Sequence, residues 1–490
     1  MNIAEAKEFI KDTVKLYLKK DEFGDYQIPI VRQRPIFLLG APGIGKTAIM
    51  SQIASELDIA LVSYSMTHHT RQSALGLPFI EQKEYGDKSV KVSEYTMSEI
   101  IASVYDTMEE SGITEGILFL DEINCVSETL YPSMLQFLQY KVFGKHSVPE
   151  GWVVVTAGNP PEFNKAVREF DVVTLDRLKV IETEADYPAW KKYAVSAGIH
   201  GAVLSFIDAN RDCFYKIETT AFGKNYVTAR GWEDLSDIIY LYEEDNKPVT
   251  EKLIGQYIKD DTVVREFSAF YDLYNKYKRL YDVEDIFAGK LSDKTKEGIV
   301  KAPMDERLAL TGFLSDKIKT EIGNIIRDKA LLSSVKEDVV TVLNKSDDRI
   351  LYIDSLIGKE EKSLKTKKSA GSLTQKEKTF AKKRIAFFKD LKKAVSDNED
   401  IKLIYNSRLN EYKADVSKEL ERVDNLFESM AEIFTENSNE MLVLVTELTL
   451  DENASSFFTD YESSSYEKYN SLLLVGERRE DLRKEILELI

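Results

Sequence analysis

The chain has 490 residues, a formal net charge of −18 and a pI near 5.0. This acidic balance argues against nonspecific attraction to DNA or to membrane surfaces. Two cysteines, Cys125 and Cys213, are too few for a disulfide framework or a zinc site and fit a reducing compartment. No apolar run approaches the roughly 20 residues of a membrane-spanning helix, so we expect a cytoplasmic protein without membrane association.

The first part of the chain predicts a helix and then an α/β domain. Residues 1–26 contain an amphipathic helix over 1–20, followed by a linker. Residues 27–182 alternate short apolar runs with segments of helical composition, which predicts a mostly parallel sheet with helices on both faces. A nucleotide would then lie at the carboxyl ends of the strands. The predicted strands are Ile36–Leu39, Leu61–Tyr64, Ile117–Leu120, Trp152–Ala157 and Leu178–Ile181.

The first of these strands leads into GAPGIGKT, which matches the phosphate-loop pattern G-x-x-x-x-G-K-[ST]. Its glycines let backbone N–H groups turn around phosphate oxygens, and the helix that follows adds positive charge at its N-terminus. We expect Lys46 to reach the β- and γ-phosphates and Thr47 to bind Mg²⁺ through its hydroxyl. The predicted nucleotide-binding residues are Gly40, Ala41, Pro42, Gly43, Ile44, Gly45, Lys46, Thr47 and Ala48.

A second motif, ILFLDE, ends the predicted strand at Ile117–Leu120 with two carboxylates. Asp121 is placed to hold Mg²⁺ with Thr47, and Glu122 to orient or deprotonate the attacking water. Phosphoryl transfer depends on positioning and charge stabilisation, so these two acids beside a phosphate loop are sufficient chemistry.

Strand signals fade after residue 182, and the rest of the sequence favours helices. Residues 183–290 and 291–490 are predicted as two helical domains, the second highly charged and poor in Pro and Gly. Residues 359–393 hold 13 basic and 4 acidic residues around the helix breaker 369–372. This stretch is either a solvated helical hairpin with a mobile tip or a surface for nucleic acid or an acidic partner.

With these motifs in place, the chain resembles the AAA+ ATPases, and within them the MoxR-like branch. After the phosphate loop and ILFLDE comes VVVTAGNP, where Asn159 is similar to the sensor 1 residue. LDRL places Arg177 at the arginine finger, with Arg168 as the alternative, and TARGW places Arg230 at sensor 2 in the lid. Residues 70–95 resemble the helix-2 insert of this branch, and residues 148–152 the end of its hairpin before sensor 1.

The resemblance covers about residues 27–290. It implies a P-loop AAA+ core at 27–182 and an α-helical lid at 183–290. Residues 291–490 lie outside the family pattern, and their helical composition predicts a C-terminal α-helical accessory domain. It also implies ATP and Mg²⁺ as ligands, with Glu122, Asn159, Arg177 and Arg230 as catalytic residues. MoxR-like ATPases resemble one another in forming hexameric rings that remodel a client, often a protein with a von Willebrand factor A domain.

Two other functions stay open at this point. The chain could be the NTP-driven motor of a nucleic-acid-acting restriction or defence complex, which the acidic charge disfavours and the basic stretch 359–393 favours. It could also be a nucleotide-gated scaffold without turnover, against which the intact Glu122 and Arg177 argue. The sequence leaves open the client, the subunit number and the choice between ATP and GTP.

Overall fold

The computed structural model describes residues 1–68, 71–85, 88–164, 167–220, 223–280, 283–345, 348–397 and 399–471. These residues form two compact units. The first comprises Met1–Ala189 with Ile353–Lys389, and the second comprises Trp190–Tyr352 with the chain from Asp390 onward. The contacts thus group the chain differently from the four predicted segments, because part of 291–490 lies in the same unit as the predicted nucleotide-binding core.

A parallel sheet forms the centre of the first unit. With strands numbered in chain order, its members are β1 (Ile36–Gly40), β2 (Ala60–Ser65), β5 (Gly116–Asp121), β8 (Trp152–Gly158) and β9 (Lys179–Thr183). They pair in the order β2-β5-β8-β1-β9, all in parallel. The predicted α/β fold is confirmed, and each predicted strand is present, because continuous apolar runs bury both faces of a strand.

Helices cover the two faces of this sheet. In chain order, the helices of residues 1–175 are α1 (Ile3–Tyr17), α2 (Lys46–Glu56), α3 (Arg71–Leu75), α4 (Glu99–Ser111), α5 (Tyr131–Tyr140) and the largely exposed α6 (Val172–Leu175). Since alternate strand residues point to opposite faces, Ile36 and Leu38 pack with residues of α1 and α2. Phe37, between them, packs with residues of α4 and α5. Of the apolar residues that define the predicted N-terminal helix, Ile10 is buried but Phe9 is exposed.

Two β-hairpins interrupt the alternation of parallel strands and helices, at the positions of the two predicted insertions. The longer one consists of β3 (Pro78–Tyr85) and β4 (Lys88–Tyr95), which pair antiparallel. Residues 70, 86 and 87 of the predicted helix-2 insert lie outside the described residues. The shorter hairpin, β6 (Val142–Phe143) with β7 (His146–Ser147), directly precedes β8. The buried Glu94 accepts hydrogen bonds from Lys83 and Lys145, which ties the two hairpins together.

The second unit is mainly helical. Its helices are α7 (Tyr187–Ala197, which begins in the first unit), α8 (Gly201–Ala209), α9 (Ala229–Glu244), α10 (Glu251–Tyr257), α11 (Asp261–Leu280), α12 (Val283–Phe287), α13 (Asp293–Val300), α14 (Met304–Asn344), α17 (Ile401–Phe434), α18 (Asn439–Leu450) and α19 (Glu452–Asp460). The segment 183–290 was predicted to be helical throughout, and this is wrong in one place. There, β10 (Lys216–Thr220) and β11 (Gly223–Val227) form a hairpin. The prediction missed it because its polar strands contain no continuous apolar run. Among the described residues, no helix is both long and apolar enough to cross a bilayer.

The long helix α14 organises the core of the second unit. Leu314, Ile318 and Ile322 recur every four residues on α14 and are fully buried. They share one apolar cluster with Phe427 of α17 and Leu444 of α18. Because residues four apart lie on one face of a helix, this spacing gives α14 a continuous buried stripe.

The basic stretch 359–393 lies in a helical hairpin, formed by α15 (Arg349–Ser369) and α16 (Gln375–Ser396). The hairpin is as predicted, but its tip is only partly solvated, because residues on either side of the exposed Gly371 are buried. Ala370 is fully buried and belongs to the apolar cluster on one face of the parallel sheet. Ser372 is also buried. The sequence pattern could not show this contact because Ala and Ser at a helix breaker resemble any polar turn.

Candidate functional site

The loop between β1 and α2 has the conformation that phosphate binding requires. Gly43 and Gly45 have φ angles of 75° and 99°, which glycine adopts at little cost. Helix α2 begins at Lys46, and no side chain caps its N-terminus. The first backbone N–H groups of a helix have no partner within the helix, so this end can donate to phosphate oxygens.

Gly40 has a separate, steric reason to be glycine. A Cβ atom there would lie 2.2 Å from the Thr183 Oγ1 atom and 2.8 Å from the Thr183 carbonyl oxygen. Thr183, the last residue of β9, donates its hydroxyl to the carbonyl of Leu39. The neighbouring strand therefore packs directly against the start of the phosphate loop. Sequence reasoning did not single out Thr183.

Lys46 lies at the centre of the site. Its side chain is buried, and its ammonium donates to the carbonyls of Gly40 (2.7 Å) and Ala41 (2.8 Å) and to Asn159 Oδ1 (2.9 Å). Asn159 directly follows β8, the neighbour of β1 in the sheet. Lys46 and Asn159 belong to motifs far apart in the chain, and the sequence predicted them in one site. The fold brings them into contact.

Thr47 and Asp121 also meet as expected. The Thr47 hydroxyl donates to Asp121 Oδ2 at 3.0 Å. A hydroxyl and a carboxylate oxygen are hard ligands of the kind that Mg²⁺ prefers. This donor pair fits Mg²⁺, and the ion would neutralise charge on the phosphates of a bound nucleotide.

Glu122 adopts a left-handed backbone conformation, with φ 56° and ψ 35°. This conformation is uncommon for a residue other than glycine. Its backbone N–H donates to Asp121 Oδ1 (2.8 Å), and its Oε2 accepts from the hydroxyls of Ser65 (2.9 Å) and Thr67 (3.0 Å). Ser65 ends β2, and Thr67 follows it closely. The sequence did not reveal these two hydroxyls, since a Ser or Thr after a strand carries no motif of its own.

The buried side chain of Asn124 contacts the backbone at the end of β8. Asn124 donates through Nδ2 to the Asn159 carbonyl at 2.8 Å and is buried. A Cβ atom on Gly158 would lie 2.5 Å from Asn124 Oδ1, so glycine at this position lets the amide approach. Asn124 thus fixes the backbone that presents Asn159 to Lys46.

The three predicted arginines differ in their surroundings. Arg177, just after α6, is exposed and donates to Gln139 Oε1 at 2.8 Å. Arg168 is in an ion pair with Glu128 at 2.5 Å and lies over the ring of Tyr131. Arg230 lies in the second unit, exposed on the first turn of α9, and its predicted role in the nucleotide site stays a prediction.

Taken together, the loop, the buried lysine and the carboxylates at the strand ends define a nucleotide-binding domain of the phosphate-loop class. Residues 36–175 match the family model of AAA, the ATPase family associated with various cellular activities. The matched stretch runs from the first residue of β1 to the last residue of α6. A comparison with curated proteins found no match. Residues 36–175 are thus similar to an AAA domain, and the chain is an ATP-hydrolysing enzyme.

Proposed function

We propose that this protein is a MoxR-like AAA+ ATPase that forms a hexameric ring and couples ATP hydrolysis to the remodelling of a client protein. The observation that carries the proposal is the pair of hairpins, β3–β4 and β6–β7, at the two positions where the MoxR-like pattern has insertions. Neither hairpin includes a residue of the nucleotide site described above.

The longer hairpin has the surface that a client contact requires. Apolar side chains are exposed along it, with Ile80 74% exposed and Tyr85 61% exposed. Exposed apolar side chains on a soluble protein can serve contacts with other proteins. A client with a von Willebrand factor A domain is the partner that the resemblance suggests.

Within this proposal each residue of the site has one catalytic role. Lys46 and the N-terminus of α2 bind the phosphates, and Thr47 with Asp121 holds Mg²⁺. Glu122 orients and deprotonates water, and Asn159 positions the γ-phosphate. Arg177 is the better candidate for the arginine finger, since Arg168 is already in an ion pair with Glu128. Arg230 would act as sensor 2.

The test uses a purified von Willebrand factor A domain protein from the same source. We expect it to stimulate ATP turnover and to become sensitive to protease only with ATP and with intact Lys46. In Ile80→Ser, the ratio of stimulated to basal turnover should fall toward one. Leu403→Ser, which changes another exposed apolar residue on α17, should keep the wild-type ratio. Equal ratios in both variants would contradict a client contact on the β3–β4 hairpin.

A second candidate is the nucleic-acid motor. One observation favours it: α16 exposes Lys378, Lys382 and Lys389. Binding of duplex DNA that weakens steeply with salt and is lost on neutralising these lysines would support this function over client remodelling.

A further inference from the structure

Glu122 is followed by a short turn that buried residues hold against the sheet. This 3-10 turn, Ile123–Cys125, begins directly after Glu122, and the Cys125 N–H donates to the Glu122 carbonyl at 2.9 Å. Ile123 and Asn124 are both buried, and Ile123 packs in the apolar cluster on one face of the sheet. The backbone of Glu122 is therefore continuous with an anchored turn, in which Asn124 is a buried polar residue.

Asn124 connects this turn to two other segments. Its side-chain Nδ2 donates to the Asn159 carbonyl at 2.8 Å, and its own carbonyl accepts from the Arg168 N–H at 2.9 Å. Asn159 directly follows β8, and Arg168 lies between β8 and α6. Neither of these two hydrogen bonds involves Lys46 or another residue of the phosphate loop. One buried residue thus holds the turn after Glu122, the end of β8 and the segment that leads to α6.

Close packing against β8 also holds the amide of Asn124. Gly158 is the last residue of β8, and a Cβ atom there would lie 2.5 Å from Asn124 Oδ1 and 2.7 Å from Asn124 Cγ. The same Cβ would lie 2.9 Å from Phe37 Cε2 of β1. Atoms at such distances overlap, so the space that glycine leaves at residue 158 is filled by the amide.

We propose that Asn124 is a positioning residue for ATP hydrolysis, which keeps Glu122 and Asn159 in the arrangement that the attacking water and the γ-phosphate need. Phosphoryl transfer depends on positioning more than on covalent chemistry. A misplacement of about 1 Å can cost on the order of 10²-fold in rate. Because the two hydrogen bonds of Asn124 do not involve the phosphate loop, its loss should slow the chemical step and leave ATP binding intact. The inference rests on the proposed catalytic roles of Glu122 and Asn159, and it needs no particular client.

Asn124→Ala tests the proposal in the full chain. We expect kcat for ATP to fall about tenfold or more, because the end of β8 loses its bond to the turn, while the ATP dissociation constant changes less than about threefold. Single-turnover hydrolysis measures the chemical step, and calorimetric titration measures the binding. Asn124→Asp keeps the shape but replaces the Nδ2 donor with an oxygen that faces the Asn159 carbonyl, so kcat should fall as well. Wild-type kcat in either variant would overturn the proposal.

Asn425→Ala is the matched control for lost stability. Asn425 Nδ2 donates to the Phe287 carbonyl at 3.0 Å, which is the same kind of bond within the second unit. Asn425→Ala should lower the free energy of unfolding about as much as Asn124→Ala, as urea unfolding measures, and should keep the wild-type kcat. If kcat fell equally in both variants, or if Asn124→Ala weakened ATP binding as much as it lowered kcat, the role of Asn124 would be structural only and the proposal would be wrong.

Gly158→Ala tests the same contact by adding an atom. Its Cβ displaces the amide of Asn124, so kcat should fall while ATP binding is retained. In an Asn124→Ala background the overlap with the amide is gone, and only the overlap with Phe37 remains. Gly158→Ala should therefore lower kcat by a smaller factor there than in the wild type. Factors that multiply in full would show that the two residues act independently, which contradicts the proposed contact.

Asn159→Ala separates the positioning role of Asn124 from the proposed function. The variant loses the Asn159 side chain and should have a reduced kcat, but it keeps the backbone carbonyl that Asn124 binds. A reduced kcat in Asn159→Ala beside a wild-type kcat in Asn124→Ala would overturn the positioning role alone. Wild-type kcat in Asn159→Ala would contradict the catalytic role of Asn159, and the positioning role of Asn124 with it.

Discussion

Lys46 in the first unit and Lys319 in the second both have buried side chains, but the surroundings of these two lysines differ. Lys46 of the first unit donates to two backbone carbonyls and the amide oxygen of Asn159. Lys319 of the second unit lies between two carboxylates, 3.0 Å from Asp316 and 2.8 Å from Glu447. Neutral oxygens orient an ammonium group without neutralising it, whereas carboxylates cancel its charge within the fold.

Lys46 belongs to a binding site, whereas Lys319 belongs to a structural ion cluster. Burial lowers the pKa of a lysine, but the charges of Asp316 and Glu447 outweigh burial at Lys319 and raise its pKa well above the usual range. The cluster joins α14 to α18, inside the helical core. At Lys46 the surroundings are strand ends and a helix N-terminus, where an anionic phosphate can complete the site. A buried charge is thus informative about function only together with its partners.

The largest expected effect is at Lys46. Lys46→Ala removes the cation that meets the phosphates, so ATP binding and all turnover should be lost while the fold is retained. Calorimetric titration with ATP measures the binding, and thermal unfolding checks the fold. Lys319→Met is the counterpart, which should bind ATP yet unfold more easily, because it leaves Asp316 and Glu447 buried without their cation. Lost ATP binding in Lys319→Met, with the fold intact, would contradict this division.

Arg177 tests whether the site is completed by a second subunit. Arginine fingers supply roughly 10³–10⁵ in rate, so Arg177→Ala should lose most turnover and keep ATP binding. Mixing Arg177→Ala with Lys46→Ala should restore some turnover, since one interface then combines an intact loop with an intact finger. Arg168→Ala, which removes an ion pair to Glu128, should have a smaller effect. A fully active monomer of the wild-type chain would rule out the shared site.

Glu122→Gln should lower turnover by roughly 10²–10⁴ and leave ATP binding intact, because an amide keeps the size of the carboxylate but cannot accept the proton. Single-turnover hydrolysis measures the rate, and a nucleotide-binding assay serves as the control. Glu115→Gln changes an acid that directly precedes β5, at the end of the strand away from Glu122, and should retain turnover. Hydrolysis by Glu122→Gln at the wild-type rate would remove Glu122 from the mechanism.

Most of these variants change residues that the sequence could identify. Such residues belong to motifs that are contiguous in the chain. The phosphate loop, Asp121 and Glu122 are contiguous motifs, and the parallel sheet follows from apolar runs long enough to be buried on both faces. Ser65, Thr67 and Ala370 could not be found this way, since each acquires its role only when distant segments meet. The β10–β11 hairpin was missed for a related reason. Its two strands are polar and pair with each other, so the sequence contains no apolar run that marks them.

The smallest effect is expected from a carboxyl group in the helical core of the second unit. Burial, together with the neighbouring Glu321, raises the pKa of Glu419 to about 8. The folded chain therefore holds this proton at pH values where the unfolded chain has released it. The stability that this proton contributes is complete below the unfolded pKa of about 4.5 and is lost as the pH rises through 8.

Glu419→Gln cannot ionise, so it should remove this decline. We expect the variant to be more stable than the wild type near pH 8, by on the order of 1–3 kcal/mol, and to differ little at pH 4. Urea unfolding at several pH values measures the difference. Glu421→Gln, an exposed position on the same helix, should follow the wild-type pH dependence. ATP turnover should be unchanged in both variants, because Glu419 and Glu421 lie on α17 and the nucleotide site lies at the strand ends of the first unit. A loss of stability in Glu419→Gln that grows as the pH rises would instead mean that the ionised carboxylate supports the core through Arg422, whose guanidinium lies 3.8 Å from it.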